Sequence, residues 1–235
     1  MLELEGVTPS AKLLDDLAER HEKVILNFSR GKDSLALWNE MRERDIDLVP
    51  VHKSMIPGLK FVEDDLKRYE DHFQVKIHDV VDDSFYRLLA QNIDQPPERC
   101  ALLESCRFTV PTKEDLDRVI REAYAEPDTW MIDGVRATDS AMRRMAITKH
   151  GPVNHRTRRM HGIWDFHVPD VRESIKKGGI ELGIDYTWWK HSFDGLWIQY
   201  LEKIKEHAPE DYETILFWFP LVDLELMRGG WKEAA

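Results

Sequence analysis

The chain has 235 residues, 42% of them hydrophobic and 33% charged, with a formal net charge of −11. That balance describes a globular protein with its own core; it excludes a disordered chain and a protein that coats nucleic acid through overall positive charge. No run approaches the roughly 20 apolar residues that span a bilayer. The acidic start at Met1-Leu2-Glu3-Leu4-Glu5 lacks a secretion signal's basic and apolar regions, and two cysteines are too few for a disulfide scaffold. The expectation is a cytoplasmic protein with no membrane partner.

Thr8-Pro9-Ser10 reads as a helix start, since proline is tolerated in the first turn, and Leu13, Leu14 and Leu17 supply an apolar stripe. Residues 24–28 (Val-Ile-Leu-Asn-Phe) form a β-prone apolar run that ends abruptly in Ser29-Arg30-Gly31-Lys32-Asp33-Ser34. Leu35, Leu37, Trp38 and Met41 then mark the buried side of a helix ending near Arg44. A strand–turn–helix junction of this kind is an anion site, because the first helical turn leaves N–H groups unpaired at the positive end of the dipole. Ser29 and Ser34 add hydroxyls, Gly31 allows close backbone approach, and Lys32 supplies a point charge.

Residues 47–52 predict a second strand, with Pro50 suggesting an edge or strand-end location. A loop over 53–58, a helix over 59–73, a strand over 74–80 and a helix near 84–91 follow. Residues 130–133 (Trp-Met-Ile-Asp) make a fourth strand that enters a turn at Gly134. Strands separated by helix-length segments imply βαβ units and a parallel sheet, whose ligands sit at the carboxyl ends of the strands. The loops at 29–34, 53–58 and 134–140 are therefore expected to converge.

From Gly162 onward the character changes. Helices are predicted over 168–177, 193–207 and 209–219, and the tryptophans at 188, 189, 197, 218 and 231 are read mainly as core packing. The predicted organisation is an α/β domain over residues 1–162 and a helical, Trp-rich lobe over 163–235. Between Ser140 and Trp164 there is no Asp or Glu, while Arg143, Arg144, Lys149, Arg156, Arg158 and Arg159 fall there with three histidines. A basic island in an acidic protein predicts an anionic partner at 140–164, a nucleic acid or a sulfonucleotide. The sequence is also compatible with an oligomer.

The run Ser29-Arg30-Gly31-Lys32-Asp33-Ser34 resembles the S-x-G-x-D-S pyrophosphate loop (PP-loop) of the adenine-nucleotide alpha-hydrolase superfamily. It is neither the Walker loop nor the dinucleotide fingerprint. Gly134-Val135-Arg136-Ala137-Thr138-Asp139-Ser140, followed by Arg143 and Arg144, resembles the G-[IV]-R-x-x-[DE]-S…R element of the phosphoadenylylsulfate (PAPS) reductase-like family. Ile163-Trp164-Asp165-Phe166-His167-Val168-Pro169-Asp170-Val171 is similar to that family's P-[IL]-x-D-W-x-x-x-D-V segment, with Phe166 in place of Trp. The three elements cover about residues 24–171 in the family's order; the rest is matched only loosely. The resemblance implies a parallel-sheet α/β, Rossmann-like fold with a helical C-terminal lobe. It also implies binding of ATP or PAPS by Ser29, Arg30, Gly31, Lys32, Asp33, Ser34, Gly134, Arg136 and Arg144.

The chain departs from the reductases. Its tail from Arg228 to Ala235 has no cysteine, residues 192–197 have none either, and Cys100 and Cys106 are too few to ligate an iron–sulfur cluster or a structural zinc. On a helix those two thiols would lie about 600° apart in rotation, and they read most simply as small buried apolar groups. The Gly-Lys-Asp-Ser ending at residues 31–34 instead resembles the small subunit of ATP sulfurylase, although the acidic residue that such relatives carry after the second strand is replaced here by His52-Lys53-Ser54. The expected activity is cleavage of the α/β-phosphate bond of ATP, or adenylyl transfer, with Lys32, Arg136 and Arg143 neutralising charge. A magnesium ion is expected near Asp33. The alternatives are sulfonucleotide reduction through Cys100 or Cys106, a non-catalytic nucleotide-binding or interaction module, and ATP-dependent modification of a nucleic acid.

Overall fold

A computed structural model describes residues 1–107 and 109–233, with side chains as far as Gly229. In chain order its elements are α1 (Ser10–Arg20), β1 (Val24–Phe28), α2 (Lys32–Arg42), β2 (Leu48–Ser54), α3 (Lys60–Phe73) and β3 (His78–Val81). There follow α4 (Asp83–Ala90), α5 (Pro97–Cys106), α6 (Lys113–Tyr124), β4 (Trp130–Asp133), a 3-10 turn (Ala137–Asp139) and α7 (Ala141–His150). The chain continues through β5 (Val153–Asn154), β6 (Arg159–His161), α8 (Val168–Lys177), α9 (Ile184–Trp188), α10 (Ile198–His207), α11 (Pro209–Trp218) and α12 (Asp223–Glu233).

The strands form one mostly parallel sheet in the order β3-β2-β1-β4-β6-β5. β1 runs parallel to both β2 and β4, β4 runs parallel to β6, and β5 closes the edge antiparallel to β6. This is a mixed α/β, Rossmann-like architecture. β1 is apolar on both faces because it lies inside the sheet, and Val24, Ile25 and Leu26 are fully buried. The carboxyl ends of β1, β4 and β6 share one edge, so whatever follows β1 and β4 meets there.

Two sequence expectations for the sheet need correction. Pro50 lies inside β2 opposite Leu26, and β2 is an interior strand rather than an edge. The four residues of β3 are too few to cover the seven of β2, so part of β2 lacks a ladder on that side, a setting that tolerates a missing N–H. The third strand begins at His78 rather than Gln74. Gln74 takes a left-handed φ of 55° just after α3, and the Ile77 N–H donates to the Glu70 side chain at 2.8 Å.

The chain divides into two compact units, each assembled from three segments. The first comprises Met1–Lys53, Glu70–Asp79 and Asp117–Leu182; the second comprises Ser54–Tyr69, Val80–Leu116 and Gly183–Ala235. In the first, Trp38 of α2 stacks on Phe73 with ring centroids 3.9 Å apart and meets Phe28 edge-on at 5.0 Å. α2 is held to α8 by the Asn39 amide, which donates to the Ser174 carbonyl at 3.1 Å and its hydroxyl at 3.2 Å. Asp165 secures the N-terminal helix: its carboxylate accepts the Ser10 N–H at 3.0 Å, while Trp164 Nε1 donates to the Thr8 carbonyl at 2.9 Å.

In the second unit, Phe61 is surrounded by Trp188, Trp189 and Phe193 at centroid distances of 5.5, 6.1 and 5.9 Å. Asp211 caps α3, accepting the N–H groups of Lys60 and Phe61 at 2.5 and 3.0 Å. The helix expected over 193–207 starts only at Ile198, because the Phe193 N–H is drawn to Asp185 at 3.0 Å and Asp194 takes the Tyr200 hydroxyl at 2.7 Å. The expectation of tryptophan core packing holds only in part. Trp188, Trp189 and Trp218 are half-buried and Trp197 is 63% exposed; Trp231 falls outside the described side chains. Among the described residues, no helix is long and apolar enough to cross a membrane.

Candidate functional site

β1 delivers the polar loop at residues 29–34, and α2 starts within it. The Gly31 N-cap position has extended dihedrals (φ −74°, ψ 155°) and offers no side-chain cap. The loop's left-handed residue is therefore not Gly31 but Arg30, at φ 60° with only 3% of its surface exposed. A non-glycine residue held there costs on the order of 1 kcal/mol and is sustained by its surroundings. The serines knit the loop together. Ser34 Oγ donates to the Gly31 carbonyl at 2.9 Å, Ser29 Oγ donates to Ser34 Oγ at 3.1 Å, and the Gly31 N–H reaches Ser29 Oγ at 3.4 Å.

β4 brings the second motif to the same place. A Cβ at Gly134 would lie 2.8 Å from the Asp33 carbonyl carbon, 2.9 Å from its oxygen and 3.0 Å from Ser34 N, so only glycine allows this approach. Two residues on, Arg136 is 4% exposed. Its Nε lies 2.9 Å from Asp33 Oδ1, and Nη2 donates to Asp139 Oδ1 at 2.6 Å. Lys32 Nζ holds the other Asp33 oxygen at 2.8 Å, and Asp139 also accepts from Arg143 at 2.6 Å. The result is an alternating series, Lys32–Asp33–Arg136–Asp139–Arg143. Arg136 Nη1 is buried without a hydrogen-bond partner among the described residues. A buried guanidinium N–H in that condition is costly unless an acceptor arrives.

Ser29, Arg30, Gly31, Lys32, Asp33, Ser34, Gly134 and Arg136 thus come together, with Arg143 joined through Asp139 and half exposed. Arg144 lies on an exposed part of α7 and has no side-chain partner among the described residues. Residues 54–58 of the loop expected over 53–58 belong to the second unit. Lys53, in the first, pairs with Asp117 at 3.1 Å. Both Asp33 oxygens already face cations, and no group of three or more metal-ligating side chains stands together among the described residues. A magnesium ion here would be held mainly by a nucleotide's phosphates, with Asp33 as the one carboxylate at hand.

Two groupings were not read from the sequence. At adjacent carboxyl ends, Asp133 of β4 and His161 of β6 are register partners, and His161 Nδ1 lies 2.6 Å from Asp133 Oδ1. Asp117 of α6 is buried between Lys53 and Arg159, accepting Arg159 Nε at 2.7 Å. The second grouping changes the meaning of the basic island. Arg143, Arg158 and Arg159 are matched by Asp139, Asp128 and Asp117 from outside it, leaving Arg144, Lys149 and Arg156 without side-chain partners among the described residues. The island is α7 plus the β5–β6 hairpin. Arg121 ties that hairpin to the start of β4, donating to the carbonyls of Thr157 in the hairpin and Thr129 before β4, both at 2.9 Å, and burial lowers the Arg121 pKa from its usual value.

Cys100 and Cys106 lie on α5 in the second unit, where no residue of the helix is buried. Cys100 is half-buried and Cys106 is exposed, so the expectation of small buried apolar groups does not hold for Cys106. A scan of the chain against protein-family models found no match, and a search of curated proteins found none similar to it.

Proposed function

We propose that this protein is a PP-loop enzyme that binds ATP, or a related adenylate such as PAPS, at residues 29–34 and 134–144. In this reading it cleaves the α/β-phosphate bond or transfers the adenylyl group, as in ATP sulfurylase-like and PAPS reductase-like chemistry. The observation that carries the reading is the Arg136 guanidinium. It is buried beside the loop that opens α2, braced by two carboxylates, and has an unused Nη1 donor. Arginine in a fixed fork, with lysine and a helix N-terminus beside it, suits a polyphosphate. As charge develops on the departing pyrophosphate, Lys32, Arg136 and Arg143 would neutralise it without any covalent role for the protein. Magnesium arriving with the phosphates would add to that neutralisation.

Titration calorimetry with ATP, PAPS and AMP, with and without magnesium, tests the reading, followed by product analysis on whichever binds. ATP binding with pyrophosphate release, abolished in Lys32→Ala, supports it. PAPS binding alone would redirect it to sulfonucleotide chemistry, and binding without turnover would leave a non-catalytic module.

A second reading, modification of a nucleic acid, is favoured by α7. Of its residues only Ile147 is buried, and it presents Arg144 and Lys149 to solvent with no acidic side chain on the helix. That reading requires tRNA or DNA binding that weakens steeply with salt and with Arg144→Ala or Arg156→Ala.

A further inference from the structure

Asp133, His161 and Asn27 lie in one row across three neighbouring parallel strands. Asp133 and His161 are register partners, and the β1–β4 register, which pairs Leu26 with Ile132, brings Asn27 level with Asp133. Because side chains alternate along a strand, all three project from the same face, at the edge where β1 runs into the phosphate loop. Asp133 immediately precedes Gly134, the residue packed against the Asp33 backbone.

The row has the geometry of a proton-handling group. Asp133 Oδ1 is fixed by the Val135 N–H at 3.2 Å and faces His161 Nδ1 at 2.6 Å. A carboxylate on Nδ1 selects the tautomer whose Nε2 carries a free lone pair. One third of the His161 side chain is exposed, so the imidazole is open to solvent. Both polar atoms of the Asn27 amide are buried without a hydrogen-bond partner among the described residues, which leaves polar capacity beside the pair that the chain itself does not use. The charged groups on this side of the sheet include Asp133, Arg159 and Lys53, with Asp117 and Arg121 from α6. Asp117 pairs with both Lys53 and Arg159, Arg121 donates to the carbonyls of Thr129 and Thr157, and Asp133 is the carboxylate that faces the imidazole.

We propose that His161 is the general base of this site, positioned by Asp133, and that the nucleophile it serves is protic: water, an alcohol or an amine. The inference rests on the adenylate reading above and narrows it. An aprotic anion such as sulfate attacks a phosphorus without losing a proton and has no use for a base there. With a protic nucleophile, its oxygen or nitrogen forms a bond to the α-phosphorus. The bond from that phosphorus to the bridging oxygen breaks, and its electron pair leaves with pyrophosphate. The proton passes to His161 Nε2 and then to solvent.

The test uses the full chain with magnesium-ATP, first in ¹⁸O-labelled water and then with hydroxylamine or sulfate added as acceptors. Wild-type protein should release pyrophosphate with ¹⁸O appearing in AMP, or with hydroxylamine adenylylated. His161→Gln and Asp133→Asn should lose about 10²- to 10⁴-fold in that rate while changing ATP affinity less than about twofold. Nitrogen-15 imidazole spectra of the free protein should show Nδ1 protonated and Nε2 bare, and Asp133→Asn should disturb that state. Turnover in His161→Gln equal to wild type, turnover only with sulfate, or an Nε2-protonated tautomer would each overturn the proposal while leaving the nucleotide site standing. Failure of wild-type protein to bind ATP would instead remove the adenylate reading, and the proposal with it.

Discussion

Arg136 Nε and Asp33 Oδ1 lie 2.9 Å apart, joining the loop after β1 to the loop after β4. Asp33 is held on its other side by Lys32, and Arg136 by Asp139, so the pair is the middle of a charge series rather than an isolated bridge. Truncation in Arg136→Ala leaves Asp33 and Asp139 with one cation each, Lys32 and Arg143, around a vacated, buried position. We expect a loss of about 3–5 kcal/mol of stability, read by urea denaturation. Arg136→Lys keeps the charge but loses the fork, and should cost about 1–3 kcal/mol while weakening ATP binding at least tenfold. Binding and stability both at wild-type level in Arg136→Lys would show that the fork has no partner.

Gly134 presents a separate test of the same junction, free of charge effects. In Gly134→Ala the new methyl must displace the Asp33–Ser34 backbone, since its nearest contacts are main-chain atoms at 2.8–3.0 Å. The expected outcome is about 1–3 kcal/mol of destabilisation together with weaker nucleotide binding, because the displaced atoms belong to the first turn of α2. An alanine variant with unchanged thermal stability would mean that the two loops can separate without cost.

Asp117 is 4% exposed and is shared by Lys53 and Arg159. Replacing it with alanine removes the carboxylate that the two mostly buried cations share. The expected cost is about 3–5 kcal/mol, measured as a lowered urea midpoint with an unchanged slope. A loss under about 1 kcal/mol would mean that water already supports both cations.

The Rossmann-like frame was legible because its signals are local. The apolar run at 24–28, the abrupt change at Ser29 and the apolar period of α2 reveal strand, turn and helix without tertiary information. The four residues of β4 were equally clear, since Trp130, Met131 and Ile132 are all buried and Gly134 ends the run. β5 and β6 were not legible. They have two and three residues, and Arg159 and His161 carry the outward alternation of a solvated strand although each meets a carboxylate on the sheet face. The Asp133–His161 pair was hidden for the same reason: its partners are close only because β6 lies beside β4, which no spacing in the sequence encodes. That Arg30 takes the left-handed conformation in the phosphate loop was not legible either, because glycine is the default choice for it.

Asp94 offers a prediction in the second unit that concerns stability alone. It is partly buried at a left-handed φ of 51°, and burial, then the charge of Glu225, raises its carboxyl pKa above the usual range. The folded state therefore holds that proton more tightly than the unfolded chain does. Its contribution is fully present below the unfolded carboxylate pKa, near 4, and is lost as the pH rises through the higher folded value. At neutral pH the ionised group is a net burden on the fold. Asp94→Asn removes the charge, and asparagine accepts a left-handed backbone. The variant should melt about 1–3 °C above wild type at pH 7, a modest gain because solvent screens a half-exposed group, and the difference should vanish below about pH 4. Thermal scans by circular dichroism at pH 4 and pH 7 read both arms. A variant less stable at pH 7, or equally stabilised at both, would show that Asp94 is not under electrostatic strain.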